Sequence, residues 1–466
     1  MGRPVFENCP LLMPALCLAL GIVLGGELLQ GWPAAALLVT VVMTTLLLSR
    51  WPLLQSLGIL VCFVVLGMAV SPVEEDQVPD GVWTEAVVAS PLVDKPKTLM
   101  AELILVQTGE RRRCFIWKDE RSQCLDLGDN LLVCIEQHQF VRRDGWKSGG
   151  DGFSRLSDVQ RLRIRALRWR GALVKRLTAS SEDHDAQAVL AAMVLGDKSS
   201  LSKELRETYS VTGASHILAL SGLHLGIIYL LLMRLTMGRR RFWLTQIVVV
   251  LAIWAFALIT GLSVSVVRAA TMISIYALFS LGGRHHAPLA VLSFTAIVML
   301  LLNSRSLFDV GFQLSFMSML GILLFSPRFE AFVSVKWLMT HRLARCLFAL
   351  TVISLSAQLG TAPLVAYHFG RFSPYFLLTN FLVIPAATLI LYGAIVVLAF
   401  PITGGVLLAF VNVLNGVLGW MSRLPGASIE GLQPSWLQVA LVYVVEAILY
   451  YLLWSYQPRI SQQRRK

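Results

Sequence analysis

The stretch Val211–Leu232, which reads VTGASHILALSGLHLGIIYLLL, decides how the rest of the chain is interpreted. It is apolar enough to enter a bilayer, yet it carries four polar side chains: Ser215, His216, Ser221 and His224. Polar groups inside a membrane are costly unless they face protein or water. We therefore expect one helix here that is buried in a bundle or lines a cavity. Each histidine taken alone has a more ordinary interpretation, a hydrogen bond to a neighbouring residue.

Three small residues of this stretch recur at helical spacing. Ser215, Gly222 and Gly226 fall on roughly one side of the expected helix. Small residues on one face let a second helix approach closely. The spacing therefore predicts that these three residues form a helix-packing face.

Composition places the chain among membrane proteins. Of its 466 residues, 56% are hydrophobic and only 15% are charged, which is typical of a polytopic membrane protein. The formal net charge is +12, and the basic residues outside residues 71–210 lie mainly between apolar runs. This is the positive-inside pattern, so most of the charge needs no nucleic-acid explanation.

Apolar runs long enough to cross roughly 30 Å of hydrocarbon predict an α-helical polytopic protein with about 12 spans. The expected spans are Leu11–Leu29, Pro33–Ser49, Leu53–Val70, Val211–Met233, Phe242–Thr260, Val266–Leu281, Pro288–Leu302, Gly311–Phe325, Cys346–Ala366, Tyr375–Phe400, Gly405–Met421 and Trp436–Tyr456. Pro363 and Pro385 lie inside two of these runs, which predicts broken or kinked helices there. A re-entrant course for Tyr375–Phe400 stays open.

Residues 71–156 differ from the rest by their short strand-like segments. These segments are Val82–Ser90, Leu99–Thr108, Arg113–Lys118 and Asn130–Gln137. Strands of this length with turn signals between them predict a small β-barrel or sandwich. Cys114, Cys124 and Cys134 leave one disulfide open if this part lies outside the cytoplasm.

The segment Arg111–Arg113, followed by Phe115 and Trp117, is a candidate surface for a nucleic-acid strand. Single strands bind to basic grooves with aromatic platforms. The more ordinary interpretation is a solvated basic hairpin with two aromatic residues in the core.

The segment Ser157–Leu177 is predicted to form a basic amphipathic helix. Its apolar residues that fall largely on one face are Leu162, Ala166, Leu167, Trp169, Leu173, Val174 and Leu177. Such a helix can lie on an anionic membrane surface or bind nucleic-acid phosphates. We favour the membrane surface because the apolar stripe is continuous.

Four polar side chains lie at or inside the later spans. Arg268 is a charge about one turn inside its span, and Gln313 and Gln358 lie inside two others. An intramembrane charge predicts a functional site, unless its side chain snorkels to the interface. Asp309 begins a span, where a carboxylate caps free backbone N–H groups, and it could also pair with Arg268.

The segment Gly213–Gly226, GASHILALSGLHLG, resembles the signature helix of the ComEC family of competence membrane proteins. Further segments resemble that family's motifs in the family's order: Ser265–Ala270, Asp309–Ser315, Ala357–Pro363, Tyr367–Ser373, Asn380–Pro385 and, more weakly, Leu424–Ser428. The stretch Gly149–Phe153 departs from the N-P-x-x-F-D-Y-like pattern that family members usually show there. The resemblance covers about Leu190–Tyr443.

The resemblance implies a channel for single-stranded DNA in the bacterial inner (plasma) membrane, used in natural transformation. It implies an OB-like β domain, and single-stranded DNA and membrane lipids as partners. A DNA receptor, a separate nuclease and a cytoplasmic ATPase are further expected partners. The residues expected along the substrate path are His216, Ser221, His224, Arg268, Asp309, Gln313, Gln358, His368 and Asn380.

These expectations divide the chain into five parts. They are an N-terminal three-helix membrane segment (1–70), an extracytoplasmic OB-like β domain (71–156), the basic helix with short connecting helices (157–210), a helical channel domain (211–456) and a basic cytoplasmic tail (457–466). The basic clusters Arg239–Arg241 and Arg464–Lys466 predict a cytoplasmic C-terminus with the β domain outside.

No catalytic or metal-binding set emerges from the sequence. His216 and His224 are eight residues apart, so about 80° separates them on a helix, which is poor for a shared metal. There is no P-loop, and the sequence given ends at Lys466, before the metallo-β-lactamase-like nuclease domain of many family members. We therefore expect no enzyme activity, no cofactor and no metal. Two alternatives stay open: an intramembrane hydrolase using Ser221 or the histidines, and a secondary transporter of a small solute.

Overall fold

The computed structural model describes residues 9–25, 32–47, 50–72, 81–135, 140–180, 182–235, 242–281, 288–333 and 340–463. The basic clusters Arg239–Arg241 and Arg464–Lys466, which carry the topology prediction, lie outside the described residues. The described chain is mostly helical, and a curled antiparallel sheet is inserted after its third helix.

Three helices precede the sheet. They are α1 (Leu12–Leu24), α2 (Trp32–Leu47) and α3 (Pro52–Ala69). Helices α1 and α3 approach closely, because a Cβ atom placed on Gly21 would lie 2.0 Å from the carbonyl oxygen of Val64. The three helices fall within about two residues of the predicted runs, except that α1 ends earlier, at Leu24.

The curled sheet contains six strands in the described part of the chain. They are β1 (Trp83–Val88), β2 (Val93–Asp94), β3 (Thr98–Leu105), β4 (Arg111–Trp117), β5 (Asn130–Ile135) and β6 (Val141–Ser148). Antiparallel pairs join β1 to β3 and β5, β3 to β2 and β4, and β5 to β6. A parallel bridge between Phe115 and Phe140 links β4 to the residue before β6, so the sheet curls back on itself.

Each of the four predicted strand-like segments forms a strand, because alternate apolar side chains enter one shared core. The strand Val141–Ser148 was not predicted, since its sequence VRRDGWKS is charged and lacks β-type content. Cys114 and Cys134 are buried and Cys124 is exposed, and all three thiols are free.

Four helices connect the sheet to the central stretch. They are α4 (Gly152–Arg155), α5 (Asp158–Thr178), α6 (His184–Leu195) and α7 (Lys203–Val211). Helix α5 begins with a capping box, in which Ser157 and Gln160 each bond the other's backbone N–H. It lies between the sheet and the helical bundle and contacts both.

The apolar stripe predicted for α5 is partly wrong. Leu162 and Trp169 are exposed, whereas Ile164 and Arg170 are buried. The reason is that protein covers this helix on two sides: Ile164 and Leu167 pack on the sheet, while other residues of the helix face the bundle. Burial therefore does not follow a single stripe.

The stretch predicted as one helix, Val211–Leu232, is broken in the structure. Helix α7 ends at Val211, the first residue of this stretch. Two separate helices follow: α8 (Ser215–Leu218) and α9 (Gly222–Leu235). Gly213 has φ of +79°, a left-handed conformation that glycine adopts readily and that ends helices. The polar side chains of this stretch therefore lie near helix ends rather than along one continuous helix.

Eight helices complete the described part of the bundle. They are α10 (Phe242–Ile259), α11 (Val264–Leu281), α12 (Pro288–Leu302), α13 (Val310–Glu330), α14 (Arg342–Phe369), α15 (Phe376–Ala399), α16 (Gly404–Ser422) and α17 (Trp436–Gln463). Helices α14 and α15 run unbroken through Pro363 and Pro385, so a break at either proline is wrong, and a kink there stays a prediction. A proline removes one backbone hydrogen bond, a loss that helices packed among neighbours in a membrane tolerate.

Six of the described helices are long and apolar enough to cross a membrane. They are Pro52–Ala69, Val310–Glu330, Arg342–Phe369, Phe376–Ala399, Pro401–Ser422 and Trp436–Leu453. Shorter apolar helices, such as α1 and α12, do not reach that length. This architecture fits a membrane protein with an inserted sheet domain, and the figure of about 12 spans stays a prediction.

Candidate functional site

Arg268 is buried in the bundle, one turn into α11. Its residue is only 1% exposed, which rules out a side chain that snorkels to the interface. Nη2 donates to Oγ of Ser265 over 2.9 Å, and Nη1 lies 3.9 Å from Oδ1 of Asp309. Nε and Nη1 have no hydrogen-bond partner in the described part of the chain. A buried guanidinium with unused donors is costly, so this position is a strong functional candidate.

Asp309 has two roles at the start of α13. Its Oδ1 accepts the backbone N–H of Phe312 over 2.8 Å, the helix cap that the sequence indicates. The same oxygen faces Arg268, and the Asp309 side chain is 45% exposed. The guanidinium Cζ also lies 6.0 Å from the centre of the Phe312 ring, a cation–π distance.

A hydrogen-bonded pair extends this site to a third helix. Gln313, one turn after Asp309, donates from Nε2 to the carbonyl oxygen of Leu307 over 3.0 Å. Nε2 of His368, near the end of α14, lies 3.1 Å from Oε1 of Gln313, and a bond to this acceptor requires the proton on Nε2. We call Arg268, Asp309, Gln313 and His368 the polar cluster. It leads from a fully buried arginine to an exposed histidine.

Ser221 and His224 form a helix cap at the start of α9. The backbone N–H of Ser221 donates to Nδ1 of His224 over 3.2 Å, and Oγ of Ser221 lies 3.1 Å from the same nitrogen. His224 thus takes the place of the Glu or Gln of a capping box. Its other ring nitrogen, Nε2, is buried and without a hydrogen-bond partner among the described residues. Since no carboxylate of the described residues bonds the ring, this contact does not have the form of a Ser-His-Asp site there.

Three further predicted path residues are not hydrogen-bonded to the polar cluster in the described part of the chain. His216 is exposed, and its Nδ1 lies 3.1 Å from the carbonyl oxygen of Gly213. Asn380 is half-buried, and its Oδ1 has no partner within the described ranges. Gln358 is half-buried on α14, almost three turns before His368.

The predicted packing face of Ser215, Gly222 and Gly226 does not form. Ser215 is exposed and belongs to α8, while the two glycines belong to α9. A Cβ atom on Gly222 would lie 3.7 Å from Cβ of Ala269, an ordinary contact, and one on Gly226 would meet no described residue within 4 Å. The helix break separates the three residues, so the spacing argument for a common face fails.

Other motif residues meet at one end of the bundle. Oγ of Ser373 donates to the carbonyl oxygen of Ala427 over 3.0 Å, and the hydroxyl of Tyr375 donates to that of Pro425 over 2.9 Å. The two-residue strands β7 (Arg371–Phe372) and β8 (Ile429–Glu430) pair beside them. The segments that resemble family motifs therefore come together here although about 50 residues separate them.

Sequence reasoning missed two long-range polar contacts. Nη1 of Arg371 donates to Oε1 of Glu207 over 2.8 Å, and the hydroxyl of Tyr209 donates to Oδ1 of Asn415 over 2.7 Å. Arg371 stood inside a quoted motif, which was the one available signal. In the described part of the chain, no group of three or more His, Cys, Asp or Glu residues is placed to hold a metal ion.

The fold and the polar cluster around the buried Arg268 define a class, a polytopic helical membrane protein with an inserted sheet domain. A family model described as competence protein matches residues 193–456, and the chain belongs to this competence protein family. No solved structure matches.

Three curated proteins illustrate the relationship. The chain is 29% identical over 285 residues to ComE operon protein 3 of Bacillus subtilis, covering 60% of this chain and 35% of that protein. It is 24% identical over 287 residues to recombination protein 2 of Haemophilus influenzae, covering 58% and 35%. An uncharacterized Aquifex aeolicus protein is 31% identical over 198 residues, covering 42% and 44%. The chain thus spans less than half the length of these relatives.

Proposed function

We propose that this chain forms an inner-membrane channel for single-stranded DNA uptake during natural transformation. Membership of the competence family supports this proposal. The observation that carries it is the buried Arg268, whose Nε and Nη1 have no hydrogen-bond partner among the described residues. A phosphodiester oxygen is the kind of acceptor that completes such a guanidinium.

The cost of moving a strand through a bilayer explains why such groups are needed. Each phosphate carries a charge, and stripping that charge of water without replacement is prohibitive. The polar cluster brings polar side chains of three helices together, α11, α13 and α14, and Arg268 supplies its unused donors. Ser221, His224, His216, Gln358 and Asn380 are proposed as further points along the path.

The proposed topology places the sheet outside and the C-terminus in the cytoplasm, with about 12 crossings. The five parts 1–70, 71–156, 157–210, 211–456 and 457–466 are retained as proposed boundaries. An OB-like barrel is supported by the pairing of β1 with β3 and β5, of β3 with β4 and of β5 with β6, and by the bridge from Phe115 to Phe140.

The proposed partners follow from the same function. The exposed Leu162 and Trp169 on the arginine-rich helix α5 suit a membrane interface. A DNA receptor, a nuclease on another chain and a cytoplasmic ATPase would supply capture, strand separation and energy.

A deletion strain tests the proposal. Cells that lack this chain are given fluorescently labelled DNA, and DNA bound at the surface is scored apart from DNA that reaches the cytoplasm. We expect normal surface binding and loss of cytoplasmic DNA, restored by the chain in trans together with its natural partners. Normal cytoplasmic uptake in the deletion strain overturns the proposal and leaves solute transport as the function to test.

A further inference from the structure

A basic cleft lies where the sheet meets the helical bundle. Its volume is about 730 Å³, the size of pocket that holds a ligand larger than a single small ion. The sheet, helix α5 and the loop between α10 and α11 all contribute to its walls. Its charged lining side chains are Arg111, Arg113, Arg163, Arg170, Lys198 and Glu102.

The five basic side chains of this cleft are poorly neutralised. Glu102 lies 4.0 Å from Arg163, and Asp197 lies 3.9 Å from Arg170, both at the limit of an ion pair. Nη1 of Arg163 is buried and has no hydrogen-bond partner in the described ranges. The cleft therefore holds excess positive charge and an unused donor.

Burial makes this charge expensive to keep. It lowers the pKa of Arg163 to about 10, with repulsion from Arg111 adding to the effect, and it lowers the pKa of Arg170 and Lys198 as well. At pH 7 the Arg163 guanidinium stays protonated, because its pKa is still well above 7. Anions that enter the cleft would relieve this destabilisation.

Arg163 also ties the cleft to the membrane bundle. Its Nε donates to the carbonyl oxygen of Gly261 over 3.0 Å, in the loop before the helix that carries Arg268. The next residue, Leu262, has φ of +54°, a left-handed conformation that is strained for a leucine. The cleft thus opens beside the start of α11, the helix that carries the proposed path inward.

The outer face of β4 continues the cleft along the sheet. Side chains alternate along a strand, so Arg111, Arg113, Phe115 and Trp117 project to one side while Cys114 and its alternates enter the core. Phe140 stacks on the two aromatic rings with centroid distances of 5.2 and 5.8 Å. Both aromatics are half-buried on this face, which makes the core interpretation of them wrong.

We propose that this cleft binds the phosphates of single-stranded DNA and guides the strand from the β domain to the helical bundle. The bases stack on the aromatic rings of the outer face of β4. This inference rests on the proposed function. Basic grooves with aromatic platforms are the general means of binding single strands. The cleft supplies both features on neighbouring surfaces, and it ends at the loop that leads to Arg268.

An anionic lipid headgroup shares the same phosphate chemistry but fits the surroundings less well. The exposed apolar residues of α5, Leu162 and Trp169, each precede a cleft arginine by one residue. They therefore project about 100° around the helix from Arg163 and Arg170. The face suited to acyl chains is therefore a different face of α5 from the one that lines the cleft.

Binding of a dye-labelled dT20 strand to the full chain tests the proposal. The chain is placed in phosphatidylcholine nanodiscs, and anisotropy is followed from low to high potassium chloride. The test variant is Arg111→Gln/Arg113→Gln, because both side chains are exposed on a strand surface and their loss opens no cavity. Each lost phosphate contact lowers the slope of log affinity against log salt by about 0.7, so the double variant should lose about 1.4.

The matched control is Arg165→Gln, on the same helix as Arg163 but two residues away and exposed. It should leave the salt slope unchanged. Wild-type affinity and slope in the double variant overturn the proposal, as does failure of the wild-type chain to bind dT20. A second arm compares the thermal midpoints of both proteins in nanodiscs with and without phosphatidylglycerol. A headgroup site is the conclusion if phosphatidylglycerol stabilises the wild-type chain but not the double variant while dT20 binding is unchanged. A failed proposed function shows itself separately, as normal DNA uptake in the deletion strain.

Discussion

Glycines in two parts of the membrane region have opposite surroundings. Between α13 and α14, a Cβ atom on Gly360 would lie 2.1 Å from the carbonyl oxygen of Met317, and one on Gly321 would lie 2.4 Å from that of Ser356. On α9, a Cβ atom on Gly226 would meet nothing within 4 Å in the part of the chain that the structure describes. Gly321 and Gly360 therefore lie in backbone contact between two helices, whereas Gly226 lies beside space that no described residue fills.

The difference shows that small-residue spacing does not identify a packing face by itself. Gly321 and Gly360 face each other, each with its α-carbon 3.2–3.4 Å from a Cβ placed on the other. Gly222 begins a helix after a cap, and Gly226 follows one turn later. Backbone contact requires a glycine at the same level on the facing helix, which the pattern within one segment cannot reveal.

The largest expected effect is that of Gly360→Val. The added side chain would collide with backbone atoms of α13, which cannot move aside as a flexible side chain can. Overpacking of this kind costs about 3 kcal/mol or more. We expect little folded protein in the membrane, measured by size-exclusion chromatography of a fluorescent fusion and by its thermal midpoint.

Gly226→Ala is the matched control. We call the space beside Gly226 on α9 the open side. Alanine in a helix is more stable than glycine by roughly 0.5–1 kcal/mol when no clash occurs. The thermal midpoint should therefore stay the same or rise. A fall in the thermal midpoint as large as that of Gly360→Val would show that α9 has a close neighbour at Gly226. It would remove the contrast between Gly226 and Gly360.

Arg268→Ala tests whether the open side borders the substrate path. Arg268 is next to Ala269, the residue that a Cβ atom placed on Gly222 would contact. A hydrogen bond to a charged group contributes about 1.5–3 kcal/mol, so its loss should lower cytoplasmic DNA uptake by about tenfold or more. Surface binding of labelled DNA should not change, and Arg268→Lys should keep part of the uptake.

Arg234→Ala provides the control for this experiment, since Arg234 is an exposed arginine at the end of α9. It should transform normally. Normal uptake by Arg268→Ala, with normal membrane accumulation of the variant, would show that the buried guanidinium serves the fold alone.

Hydropathy and motif order predicted much of this architecture but not its local breaks. The bounds of Pro288–Leu302 and the proximity of Arg268 to Asp309 were both predicted, because uniform apolar runs and helix-start carboxylates leave few alternatives. The break before Gly222 was not, because the left-handed turn at Gly213 and the Ser221 cap are local backbone features inside an apolar stretch. Hydropathy averages over such features.

The polar cluster shows a similar limit. Its members on different helices were expected to converge, and Gln313 does bond to His368. Whether Gln358 or Asn380 joins them depends on helix rotation, which a sequence without known contacts leaves undetermined. The same applies to α5, where two covering surfaces decided the burial of Ile164 and Arg170.

A smaller effect on stability is expected from removing the Ser221–His224 cap at the start of α9. His224→Leu removes the acceptor for the Ser221 backbone N–H, and losing a helix cap costs about 1 kcal/mol. His224→Gln keeps an acceptor at the capping-box position and should retain most of the stability. Thermal midpoints of the two variants give the comparison. Labelling of Ser221 by a fluorophosphonate would contradict a purely capping role and revive the hydrolase alternative.

The last and smallest perturbation is Gly226→Cys, which asks whether the space beside α9 holds water. The new thiol should react with a membrane-impermeant, water-soluble maleimide at pH 7.5, because a water-accessible path reaches it. Peptide-resolved mass spectrometry measures the yield. Cys124 is exposed and serves as the positive control. Cys114 serves as the negative control, since burial raises its pKa to about 12 and keeps the thiol protonated below that pH. A Gly226→Cys thiol as unreactive as Cys114, yet readily labelled by a lipid-soluble maleimide, would show that α9 faces acyl chains there and lies off the path.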